Sequence, residues 1–366
     1  MSKKKSKLKL AQEQAELSIK KTNEKIGELG THTGQLYNVL NTLQKLFEDI
    51  RNVPSEKRLE YEKLKTIRLN WKQQAEKIES DYKNAAAINA GKGAAGVGAG
   101  VAVAALGPTA AMGIATTFGV ASTGTAISTL SGAAATNAAL AWLGGGALAA
   151  GGGGMAAGNA FLALAGPVGW AIAGVAILGS GLLLWKGKSD QNRLEDIFTL
   201  ISKRDVKSYE LAIVEINERI SRIIDESQKL NSSIERTSAF GLDYNLMTEA
   251  QQYELGSYVN LMNSSTQLLI NPIIGLMPKY DIGDLKEYIA FSKKKVDDKQ
   301  TMLIVSLANL LYKINLDEKD KTLLWKSFKG NKKFLSSIEI SKKDFEFLII
   351  ETISDALMYK YGLEKA

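Results

Sequence analysis

The 93 residues between Lys92 and Lys186 contain no Asp, Glu, Lys or Arg, and 50 of them are Gly or Ala. A water-facing surface of that length almost always carries charge. A charged side chain at the centre of a membrane helix costs roughly 2.5–3.5 kcal/mol, so lipid would account for the composition. A tightly spaced helical protein core, in which small side chains let backbones approach, would account for it too. A simple linker would not, because Val, Leu, Ile, Phe and Trp punctuate the glycines and Ser-Gly repeats are missing.

Within this window the strongest apolar segment runs from Pro167 to Trp185. As a helix its 19 residues would rise about 28 Å, close to a hydrocarbon core of ~30 Å. Trp185 and Lys186 then fall where an interfacial aromatic and a snorkelling cation belong. Helical pieces are expected near 84–106, 109–121, 122–143 and 155–165, with Gly-rich or Gly-Pro breaks between them. Small residues recur one helical turn apart: Gly96 with Gly100, Gly124 with Ser128 and Gly132, Gly154 with Gly158, and Ala165 with Gly169 and Ala173. In lipid such seams mark helix contact faces, although a segment this rich in Gly and Ala also generates them by chance. Ser122, Thr125, Thr129 and Thr136 give the 122–143 piece a hydroxyl face that either lines a wet path or packs on a neighbouring helix.

The flanks are charged and carry heptad-like apolar seams. Leu36, Val39, Leu40, Leu43, Leu46, Phe47 and Ile50 stripe a helix over 34–52, preceded by a Gly/Thr-rich break, GELGTHTG. The one histidine, His32, sits in that break and reads as a solvated loop residue. Pro54 opens a second helix whose seam runs Leu64, Ile67, Trp71, Ala75, Ile78 and Tyr82. After the window, Ile213, Ile216, Ile220, Ile223, Ser227, Leu230 and Ile234 hold a 3-4 alternation, predicting one helix over about 190–238 that ends at Gly241. The two long helices flanking the window are expected to pair as an antiparallel stalk. Residues 244–366 read as five shorter helices near 245–270, 284–298, 300–314, 318–328 and 342–360, with NLDEKDK a turn and helix start, not a calcium loop.

The expected fold is therefore all-α. Residues 1–92 form a basic arm and helical stalk, 93–185 a membrane-inserting segment, 186–240 a long stalk helix and 241–366 a C-terminal helical domain. Residues 1–92 hold 19 Lys and Arg against 12 Asp and Glu, and this excess equals the whole chain's net charge of +7. The basic start reads as a solvated tail or a contact with anionic lipid. Nucleic acid is not expected, since no aromatic interleaves the basic residues before Tyr37. No apolar core of a secretory signal follows that start.

Catalytic signatures are missing. The chain has no Cys, and a lone His excludes a multi-histidine metal site. No phosphate-binding loop, dinucleotide fingerprint, HExxH or GxSxG occurs, so neither an enzyme nor a cofactor is expected.

The string GVASTGTAISTLSGAAATNAALAWLGGGALAAGGGGMAAG resembles the central region of bacterial glycine-zipper proteins. The architecture is broadly similar to α-helical pore-forming toxins and colicins, in which a charged bundle carries an uncharged insert. That resemblance implies a membrane-inserting, pore-forming protein, toxin-like or an antiviral defence effector, with the lipid bilayer and further copies of itself as partners. Its place would be the bacterial cytoplasmic membrane, or the cytoplasm before conversion. A resident membrane scaffold that recruits a protein partner through coiled coils is the alternative.

Overall fold

The structure is a computed structural model that describes residues 6–90, 108–118, 187–330, 335 and 340–362. The described residues are helical and contain no strand, as the all-α expectation has it. Among the described residues nine α-helices follow in order: α1 (Lys7–Asp49), α2 (Ser55–Ala90), α3 (Pro108–Phe118), α4 (Lys188–Ser238), α5 (Glu249–Ile270), α6 (Ile282–Ser292), α7 (Asp298–Leu311), α8 (Glu318–Gly330) and α9 (Phe347–Tyr361).

Two apolar cores share α4. The first, a bundle, is built from α1 beyond Ile26, α2, α3, α4 beyond Tyr209, α5 and the turn around Ile273. The second, a head, gathers Leu8, the first turns of α4 and α6 to α9. At 51 residues α4 is about 75 Å long, enough to serve both. Its buried positions Leu194, Ile197, Phe198 and Ile201 face the head, and Tyr209, Ala212, Ile216, Ile220, Ile223 and Leu230 face the bundle.

The helix that accompanies α4 is α1, and the two run parallel. Leu8 packs in the head core with Leu194 and Ile197, while at the other end Arg51 exchanges backbone hydrogen bonds with Leu242 and Tyr244 at 2.9 and 3.0 Å. α2 folds back along α1 after the turn at Asn52–Pro54 and packs mainly on α3 and α5. The expected antiparallel pairing of the two window-flanking helices is thus replaced by a parallel pairing of α1 and α4. An apolar seam demands a partner but does not specify which one.

α1 also corrects the break expected at GELGTHTG. The helix runs through it without interruption, and His32 is a half-buried helical residue. Its glycines serve a helix contact. α3 crosses α1 so closely that a Cβ on Gly30 would lie 1.8 Å from the Thr109 carbonyl oxygen, and one on Gly113 would lie 2.0 Å from that of Ile26. On the other side of α3, Trp71 donates its indole N–H to Thr116 at 3.2 Å. At its end, Ile273 N–H donates to the Thr117 carbonyl at 2.8 Å.

Among the described residues no helix is long and apolar enough to cross a membrane. This overturns the pore-forming reading and its membrane-anchored alternative, together with the transmembrane placement both required. The part of the uncharged window that the structure describes is α3. Its 11 residues rise only about 16 Å, and Ala111, Gly113, Ile114, Ala115, Thr116 and Thr117 are buried against protein. The window's other expected helices, the 122–143 face and the Pro167–Trp185 segment among them, lie outside the described residues.

The five helices expected after Gly241 are present as α5 to α9, but α5 packs in the bundle core and only α6 to α9 in the head. NLDEKDK opens α8 with Asp317 and Asp320 capping each other's backbone N–H, at 3.1 and 2.8 Å, while Arg193 of α4 pairs with both carboxylates. Gly241, with φ at +83°, follows the end of α4.

Candidate functional site

One face of α1 and two residues of α2 enclose an open groove of about 440 Å³. Tyr37, Asn41, Gln44 and Glu48 fall on one stripe of α1, with Asn38, Thr42 and Lys45 beside it, while Lys65 and Leu69 face them one turn apart on α2. The stripe adjoins the core-facing seam Leu36, Leu40, Leu43 and Phe47, so the bundle fixes the groove's wall.

Behind Gln44 lies Arg68, wholly buried. Its Nη2 donates to Gln44 Oε1 at 2.7 Å and its Nη1 to Thr266 of α5 at 3.4 Å, while its Nε has no hydrogen-bond partner. Gln44 passes the interaction on, donating from Nε2 to Glu48 Oε1 at 2.9 Å, and Lys65 donates to the same oxygen at 2.8 Å. Burial pushes the Arg68 guanidinium down to about 10, against the opposing pull of Tyr37 and Glu48, so it is still a cation at neutral pH. For Glu48, burial acts to raise the carboxyl, but the hydrogen bonds from Lys65 and Gln44 and the charge of Lys65 outweigh it and hold it below the usual range. Tyr37 lines the other end of the groove, with its ring 5.6 Å from that of the fully buried Trp71.

A second buried charge sits where the bundle meets the head. Asp205 of α4 is fully buried and accepts from Arg204 Nε and Nη2 at 2.9 and 2.7 Å, both on Oδ1. Its Oδ2 has no partner. Burial pushes this carboxyl up to about 7 against the charge and hydrogen bonds of Arg204. Arg204 also donates to the Leu310 carbonyl at 2.9 Å and to that of Tyr312, which ties the end of α7 to the junction.

The hydrogen-bonded atoms of both arrangements tie helices together, Arg68 Nε and Asp205 Oδ2 have no partner, and no group of acidic or histidine side chains among the described residues could hold a metal. The residues expected from the sequence as a site all lie outside the described residues: Gly96, Gly100, Gly124, Ser128, Gly132, Gly154, Gly158, Ala165, Gly169 and Ala173 as contact seams, Ser122, Thr125, Thr129 and Thr136 as a pore lining, and Trp185 and Lys186 at an interface. The groove and the two buried charges were missed. The sequence does mark both charges, since Arg68 falls between Ile67 and Trp71 on an otherwise apolar face and Asp205 sits four residues from both Ile201 and Tyr209. No protein-family model, curated protein or solved structure matches the chain.

Proposed function

We propose that this chain is a non-catalytic helical scaffold whose partners are proteins. The observation that carries this reading is the seat of α3. The described part of the uncharged window contacts α1 glycine to glycine and is pinned by Trp71 and Ile273, so its small residues serve protein packing. The long parallel pair of α1 and α4 supports the same reading. Its buried polar groups set helix register in place of presenting reactive atoms, and its outer faces are long enough to hold a partner helix.

Extraction of the full chain from cells expressing it tests the proposal. A scaffold of this kind leaves the membrane pellet in alkaline carbonate and runs as a single species without detergent. Retention in the carbonate pellet, with release by detergent alone, would overturn it.

A further inference from the structure

The geometry points to the α1–α2 groove as a docking site for an acidic protein segment, with carboxylates for Lys45 and Lys65 and an apolar side chain between them. This deepens the scaffold reading and rests on it.

The charge balance of the groove sets the sign of its occupant. Its lining holds two lysines and one glutamate, and the Glu48 oxygen nearest them is already occupied by Lys65 and Gln44. A third cation, Arg68, stands directly behind Gln44, hydrogen-bonded only to neutral oxygens, with its Nε unpartnered. The field at the groove is therefore positive, and a guanidinium shielded from water projects its charge further than an exposed one would.

The lining also selects among anions. Leu69 is 44% exposed, a large apolar side chain left uncovered beside the Tyr37 ring, and Asn38, Asn41 and Thr42 offer amide and hydroxyl groups along the same wall. Nucleic acid backbones are held best by exposed arginine forks, and no arginine stands in the lining of the groove. A mixed apolar and cationic groove between two antiparallel helices suits a peptide that alternates Glu or Asp with Leu.

Fluorescence anisotropy with the full chain tests this. The probes are a labelled Glu/Leu peptide, its Gln/Leu counterpart and a single-stranded oligonucleotide of similar length. The expected result is saturable binding of the Glu/Leu peptide that weakens with salt, no binding of the Gln/Leu peptide, and at least a tenfold loss of affinity in Lys45→Glu and in Leu69→Glu. Both substitutions are at exposed positions, and thermal unfolding followed by circular dichroism verifies that each variant folds. Three results would overturn the proposal: no binding of the Glu/Leu peptide, equal binding of the Gln/Leu peptide, or binding that neither variant weakens. Preferential binding of the oligonucleotide, lost in Lys45→Glu, would assign the groove to nucleic acid instead. None of these results bears on carbonate extraction, so the scaffold reading fails or stands separately.

Discussion

The bundle and its junction with the head each bury one charge and satisfy it differently. In the bundle, Arg68 has two neutral acceptors and reaches its counter-charge, Glu48, only through Gln44. At the junction, Asp205 has a cation in direct contact but leaves one oxygen without a donor. The contrast teaches that arginine tolerates indirect pairing. Its charge is delocalised and weakly hydrated, and it keeps its proton at neutral pH even when burial lowers it to about 10. A carboxylate has no such margin. Asp205 is pushed into the neutral range, so its carboxyl responds to pH where Arg68 does not.

The largest effect should come from the packing of α3 on α1. Gly113→Val places a side chain where Ile26 already has its carbonyl oxygen, and should cost about 3 kcal/mol or more in urea unfolding. Gly27→Ala, on the same stretch of α1 but with nothing within 4 Å, should instead stabilise by about 0.5–1 kcal/mol. Equal effects would show that α3 does not sit on Gly30.

Arg68→Ala should destabilise by about 3 kcal/mol, because it opens a cavity and strands Gln44, whereas Arg68→Met, which refills the volume but still strands Gln44, should cost only about 1 kcal/mol. A large loss in both would mean that the guanidinium itself holds the bundle, and the contrast with Asp205 would need revision.

For Asp205 the folded carboxyl lies at about 7, above the ordinary 3.8. The folded state therefore holds a proton that the unfolded chain has released, and the stability gained that way is lost as pH rises through 7. Wild type should lose about 2 kcal/mol between pH 5 and pH 7 and only a few tenths more by pH 8, and Asp205→Asn should remove most of that slope. Arg68→Met should leave the slope unchanged, since Arg68 does not titrate in this range. Thermal melts at these pH values are sufficient to see both.

The smallest effect belongs to a surface cap. Thr248 and Gln251 form a reciprocal capping box at the start of α5, and Thr248→Ala should cost about 1 kcal/mol by urea unfolding, independent of pH.

Helix positions were legible where an apolar period ran unbroken. α4 is expected over about 190–238 and spans Lys188–Ser238, whereas after Gly241 α6 ends six residues short of its expected limit and α9 starts five residues late. α1 was half missed because glycine and threonine usually punctuate. The spacing of Gly27, Gly30 and Gly34, three and four residues apart, is itself helical, and the backbone of α3 lies against Gly30 while the Met112 side chain lies against Gly34. The uncharged window misled for a related reason. Dry protein and lipid impose the same absence of charge, and composition does not distinguish them. The groove was invisible for a different one: it needs α1 and α2 in register, and Lys65 and Leu69 join Asn41 and Lys45 only after the hairpin closes.

The parallel pairing of α1 with α4 has a consequence for synthesis. The two strips that must meet are about 190 residues apart in the chain. At roughly 5–20 residues per second, a ribosome takes on the order of 10–40 s to supply α4 after α1 has emerged. During that interval the Leu36, Leu40 and Leu43 face has no permanent cover, and the nascent chain must either borrow one from α2 or wait in the care of a chaperone.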